Sequence, residues 1–368
     1  AFGLLAATGA GATDSIAMGS FTNVNGANSI AIGDNIVTNA ARTVAIGSTA
    51  AAGAVNATAV GTGSNAAGTF STATGSGASA AGNASSAYGA NSNAATLRSS
   101  AVGFGSSATG NQAQAFGSLS LADGNQSTAL GLRARARGSF STATGGNSRA
   151  DANATVANGY NSRAFANLST AVGFGSNVTA AGDEGTALGA RSLVSGTFGT
   201  AVGTSSRATA DGATAVGWGS FSTGALSTAV GSSAGASGMM ASAFGNSANA
   251  SGAGATALGQ GAAATDIATT ATGKLATASA NGASAYGWGS FATAANATAL
   301  GASAGASGVN STAVGNSANA SANGASAFGF GSFATAANTT AVGSSAGASG
   351  MNSTAVGNSA NASGNYGT

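Results

Sequence analysis

Residues 29–47 read SIAIGDNIVTNAARTVAIG, and the motif that opens the stretch, Ser29-Ile-Ala-Ile-Gly33, returns at its end as Thr43-Val-Ala-Ile-Gly47. The same Ala-x-Gly beat, with a period of 14, runs from Ala17–Gly19 to Ala171–Gly173. It resumes two residues late at Ala187–Gly189 and continues to Ala355–Gly357, giving 25 copies with alanine first and glycine last in each. A short fixed period means that each repeat is one structural unit stacked on its neighbour, so the chain is expected to form a solenoid. Its 368 residues could hold two or three ordinary domains, but the uniform period predicts one elongated domain over 1–368.

Numbering each unit from its anchor glycine (G) exposes the strand pattern. Position G−2 is always alanine, and G−1 is usually apolar: Ile32, Ile46, Val60, Val102, Phe116, Leu130, Val172, Val202, Val216 and Val230. Position G−3 is Ile or Val at first and later mostly Thr. β-branched residues alternating with a small one are the mark of a strand. A second strand follows, with small residues at G+3 and G+5, as in Ser106 and Ala108, around a freely varying G+4. Glycine and asparagine fall between the strands, where turns need positive φ. Each coil is therefore predicted to be strand, turn, strand, turn. The coils build two parallel sheets that point alanine and serine at each other across a thin gap.

That interior is energetically poor. A methyl group contributes roughly 0.8 kcal/mol on burial and a whole valine or leucine ~1.5–3 kcal/mol. Ordering one residue costs about 1–2 kcal/mol of backbone entropy. Alternation turns the large side chains at G−1 away from the interior, so they need another surface. The G−1 residues named above are thus the expected interface of an obligate homo-oligomer.

Composition excludes several classes of function. With no cysteine, no histidine and eight scattered acids, the chain offers no thiol chemistry, few routes to a metal site and no usual general base. Neither a catalytic residue nor a cofactor is expected. A formal charge of +2 is too small to argue for nucleic acid as a partner. No window reaches the ~18–20 apolar residues of a spanning helix.

The units Ser29–Gly33, Thr43–Gly47 and Thr312-Ala-Val-Gly315, with small residues after each anchor, resemble the head repeats of trimeric autotransporter adhesins of the YadA-head type. The resemblance spans residues 13–368. It implies a left-handed parallel β-roll assembled side by side as a homotrimer. It also implies display on the outer membrane of a Gram-negative bacterium, and non-catalytic attachment to host cells or extracellular matrix, through protein or glycan. Neck, heptad stalk and anchor strands are not found in the sequence. The chain reads as a head fragment whose link to the membrane would be an anchor outside it.

Departures from the repeat are where a ligand site is expected. Arg135, Arg149 and Arg163 hold G+4 in three successive coils, flanked by Arg133 and Arg137. Stacking predicts a column of like charge ~5 Å apart, which adds nothing to stability and would suit an anion, a glycan sulfate or an acidic host surface; a plain solvated face is the simpler alternative. Aromatics follow the anchor at Phe104, Phe174, Trp218, Trp288 and Phe330, with Phe221, Phe291 and Phe333 at G+4 in three of those coils. These are sticky contacts or, more simply, covers over a neighbouring rung. Asp183 and Glu184 in the two-residue slip have no base or nucleophile nearby and read as a small protruding loop. Asn158 replaces the apolar residue at G−1. The Asn-x-Ser/Thr triplets at Asn125, Asn249 and Asn338 follow from composition and are not read as glycosylation signals.

Three other classes compete with an adhesin. An ice-binding solenoid would use the threonine column at G−3, but the partner column is Val, Leu or Phe. A pectin-lyase-like enzyme would gather Asp, Arg and Lys on one face, whereas Lys274 is the single lysine here. Calcium-binding nonapeptide rolls require regular aspartates that this repeat lacks.

Overall fold

A computed structural model describes residues 1–368 and contains strands and turns but no helix. The chain divides into two compact units, residues 1–184 and 185–368, and each is built on the same plan. In the first, the coil around Gly61 places G−3 to G−1 in the strand Thr58–Val60 and G+4 to G+5 in the strand Asn65–Ala66. In the second, the coil around Gly203 does the same with Thr200–Val202 and Arg207–Ala208. Strands pair in parallel with the equivalent strand one coil on, like slot against like slot: Ala59 with Ala73 and Val60 with Thr74, Ala201 with Ala215 and Val202 with Val216. The expected parallel β-solenoid, one repeat per coil, is thus the fold of both units.

Four side chains per coil point inward, at G−2, G+3, G+5 and G+10. Around Gly61 they are Ala59, Ser64, Ala66 and Ser71; around Gly203 they are Ala201, Ser206, Ala208 and Ala213; all are fully buried. Their hydroxyls are paired locally where the turn allows it. Ser64 Oγ donates to the Gly61 carbonyl at 2.8 Å, and Ser206 Oγ to that of Gly203 at 2.8 Å. The largest wholly buried side chains are Ile36, Val24, Val178 and Val194.

The constancy of the anchor glycine has a steric cause. Gly61 sits at φ +130, and a Cβ there would lie 2.6 Å from the carbonyl carbon and oxygen of Gly75 in the next rung. No side chain fits between coils so close. The turns differ: G+2 and G+9 both adopt the left-handed conformation, and Arg133, Asn147, Leu168 and Asn310 all occupy it with φ between +55 and +57.

Two features of the chain's rhythm escape the sequence pattern. Ala1-Phe2-Gly3 is a further anchor, with Gly3 at φ +134 and Phe2 bridged in parallel to Met18. Gly3 precedes Gly19 by two positions more than the regular period, as Gly173 precedes Gly189. Each long coil inserts one more tight turn after its second strand, closed by Ala12 N–H to the Gly9 carbonyl and by Gly182 N–H to the Thr179 carbonyl, both at 3.0 Å. The slip is therefore a recurring coil variant. Asp183 and Glu184 are exposed there, and Asp183 Oδ1 accepts the backbone N–H of Asn167 at 3.0 Å, a turn-fastening role.

Candidate functional site

The outer face of the three-residue strands carries two columns, G−3 and G−1. Ile32, Ile46, Val60, Val102, Phe116 and Val172 in the first unit, and Val202, Val216 and Val230 in the second, lie outside the coil and are half-buried. Leu130 is 48% exposed. They stack directly, Val202 on Val216 on Val230, so each is covered along the coil axis by its neighbours and open outward. Asn158 interrupts the row between Thr144 and Val172 and is exposed.

The two-residue strands form the other outer face. Here Arg135 pairs in register with Arg149, and Arg149 with Arg163. A shallow open groove is lined by Arg133, Arg135, Asn147, Arg149, Asn161 and Arg163. It lies between the turn column G+2 and the strand column G+4, and a second depression lined by Leu119, Leu121, Arg133 and Arg135 extends it by one coil.

The array is not a column of like charge alone. Asp151, at G+6, places Oδ2 2.6 Å from Arg149 Nη2 and 4.0 Å from Arg137 Nη1. The Arg149 guanidinium also lies 5.0 Å from the centre of the Phe165 ring, close enough for a cation–π contact. Arg163 reaches Asn161 Oδ1 at 3.3 Å. Arg149 is therefore held in place, while Arg133 and Arg135 make no ion pair. Sequence reading does not single out Asp151, because it lies at G+6 of its own coil, two positions from the arginine column, and only rung stacking brings Arg137 to it.

The aromatics separate into two groups. The rings of Phe221, Phe291 and Phe333 reach over Gly235, Gly305 and Gly347, the G+4 glycines of the next coil, where a Cβ would run into the far edge of the ring. The residues after the anchor remain open, with Trp218 64% and Trp288 58% exposed. Tyr160 and Phe174 stack on each other, ring centres 5.7 Å apart and 12° from parallel. Sequence reading also leaves unassigned an asparagine column at G+8. Asn83, Asn125, Asn153 and Asn323 each accept, through Oδ1, the backbone N–H of the G+8 residue one coil earlier at 3.0–3.1 Å. Asn125, part of an Asn-x-Ser triplet, is thus a clip between coils.

Fold and surface together define a parallel β-solenoid with an alanine–serine interior and its large side chains in columns outside. The chain belongs to the YadA head domain repeat family. That family's two-copy repeat matches residues 10–35, 39–64, 52–78, 122–148, 150–176, 180–204, 195–220, 236–262, 292–318, 306–332, 320–346, 334–360 and 348–368, well over half of the sequence. Among solved structures, the collagen-binding domain of the Yersinia adhesin YadA is similar, at 26% identity over 45% of this chain and 68% of that one, with a TM-score of 0.20. Comparison with curated proteins finds no match.

Proposed function

We propose that this chain is the head of a bacterial surface adhesin. In this reading it works as a homotrimer, is carried on the outer membrane, and holds host cells or extracellular matrix by many repeated, non-catalytic contacts. The observation that supports it most is the division of side chains in each coil: alanine and serine inside, Val, Ile, Leu and Phe at G−1 outside. Three copies facing one another through Ile32, Ile46, Val60, Val102, Phe116, Leu130, Val172, Val202, Val216 and Val230 would cover a surface that one copy leaves half open. The two units would then act as one head domain, and the repeated coils would multiply weak contacts into avidity.

The test is sedimentation of the purified chain followed by a binding screen against immobilised collagen, fibronectin, laminin and glycosaminoglycans. A folded trimer that retains at least one of these surfaces is expected. A folded monomer, or a trimer that retains none, would oppose the proposal.

A further inference from the structure

We infer that the arginine groove on the outer face of the two-residue strands is a binding site for a linear sulfated polysaccharide. The inference rests on the adhesin reading and names a ligand class and a place for it. Three observations carry it. The first is local charge: Arg133, Arg135, Arg137, Arg149 and Arg163 face a single acid, Asp151, between positions 133 and 163, whereas the whole chain carries only +2. Half of all its basic residues thus lie in three adjacent coils.

The second is shape and order. The groove runs across coils between Arg133, Asn147 and Asn161 on the turn side and Arg135, Arg149 and Arg163 on the strand side. With rungs ~4.8 Å apart, it offers donors at intervals along a line, which matches a chain of anionic groups better than a single ion. Arg149 in the middle is fixed by Asp151 and Phe165, so less rotamer entropy is lost when a ligand arrives. Arg135 beside it carries no ion pair and is free to bind.

The third is the chemistry of the neighbours. All five cations are arginine, whose planar, weakly hydrated guanidinium donates two parallel hydrogen bonds to an oxyanion such as sulfate. Asn147 and Asn161 supply neutral donors and acceptors suited to sugar hydroxyls. Asn147 Nδ2 also reaches the hydroxyl of Tyr160 at 3.4 Å. This puts the Tyr160–Phe174 stack, both rings more than half exposed, at the edge of the groove. A flat aromatic face beside guanidinium groups is a surface on which a sugar ring can rest while its sulfates are paired. The groove faces away from the G−1 columns, so a trimer assembled through those columns would leave it open.

The experiment uses the whole chain on surfaces of heparin, desulfated heparin, hyaluronan and duplex DNA. Two variants are compared with the parent: Arg135→Ser/Arg149→Ser/Arg163→Ser, and Arg42→Ser/Arg98→Ser/Arg207→Ser, which removes equal charge elsewhere. Circular dichroism verifies that each remains folded. The groove variant is expected to bind heparin about tenfold more weakly or worse, and the control variant within about twofold of the parent. Desulfated heparin and hyaluronan are expected to be ignored, and binding should fall with added salt. Should the groove variant fail to fold, Asn147→Ala/Asn161→Ala with Tyr160→Ala is expected to weaken heparin binding and leave weak adsorption to DNA unchanged. Equal losses in both arginine variants, or DNA bound as tightly as heparin, would reduce the groove to a generic cationic surface and overturn the inference. A trimer that holds matrix proteins but not heparin would also overturn it and leave the adhesin reading standing. A chain that holds none of the surfaces would remove both.

Discussion

Two glycines of one coil, Gly61 and Gly63, provide a controlled test of the rung packing. Both have positive φ, at +130 and +66, but their surroundings differ. A Cβ on Gly61 would stand 2.6 Å from the Gly75 carbonyl carbon and oxygen and 3.1 Å from Ser76 N, all backbone atoms of the next rung. A Cβ on Gly63 would meet nothing closer than Thr49 Oγ1 at 3.9 Å, and Thr49 itself occupies the same turn slot one coil earlier at φ +57. Gly63→Ala therefore incurs only the left-handed penalty of about 1–2 kcal/mol. Part of that is returned because alanine restricts the unfolded chain, by ~0.4–1 kcal/mol. The net cost is between about 0 and 1.6 kcal/mol. Gly61→Ala adds strained backbone, roughly 1–3 kcal/mol, to forced separation of two rungs, a further ~1–3 kcal/mol by analogy with overpacked cores. The expected loss is about 2–6 kcal/mol. Guanidinium unfolding followed by circular dichroism measures the difference, and amide exchange locates it: the N–H of Gly75, which bonds the Val60 carbonyl at 2.8 Å, should lose protection in Gly61→Ala only. Equal destabilisation by the two substitutions would refute the claim that rung separation fixes the anchor.

Other consequences are as direct. Gly305→Ala should push the partly exposed Phe291 ring aside at a cost of no more than about 1 kcal/mol; a double-mutant cycle with Phe291→Ala that shows no coupling would contradict the contact. Asn125→Ala should cost about 0.5–1.5 kcal/mol and speed exchange of the Asn111 amide, whose acceptor is removed; unchanged exchange would remove the clip. Val202→Ser/Val216→Ser/Val230→Ser should weaken self-association in a sedimentation dilution series, whereas serine at three of the outward Thr positions, Thr200, Thr214 and Thr228, should have little effect; the reverse order would move the interface to G−3. Asp151→Asn should change stability by no more than ~1 kcal/mol, the range of a partly exposed ion pair. A loss well above that in guanidinium unfolding would show that the Arg149–Asp151 pair carries more than an ordinary surface ion pair.

Much of the fold was legible because a repeated slot averages away local ambiguity. One Ala-x-Gly says little, whereas alanine at G−2 beside β-branched G−3 and apolar G−1 in coil after coil fixes which side chains face inward. Anchor glycine and inward alanine have the same cause, the thinness of the coil and the closeness of its rungs. What the pattern did not reveal depends on pairs about one period apart whose residue types vary. Phe291 over Gly305, Asn125 against Asn111 and Asp151 between Arg137 and Arg149 each join different slots or different coils, and a slot-by-slot reading treats slots independently. Ala1–Gly3 escaped because its coil is longer than the regular period. The arginine column was visible as a count, but its restraint by Asp151 and Phe165 was not, since those residues lie outside the column and come near only through side-chain reach.

In the proposed reading, a coil lined with alanine and serine cannot stand alone and relies on its outward apolar column to meet other copies. Sedimentation equilibrium on the unmodified chain, diluted until assembly breaks and followed in parallel by circular dichroism, tests it most directly. The expected result is a species of three times the 33.4 kDa chain, with β-structure lost as that species dissociates. A 33.4 kDa particle that keeps its full β-signal on dilution would contradict it.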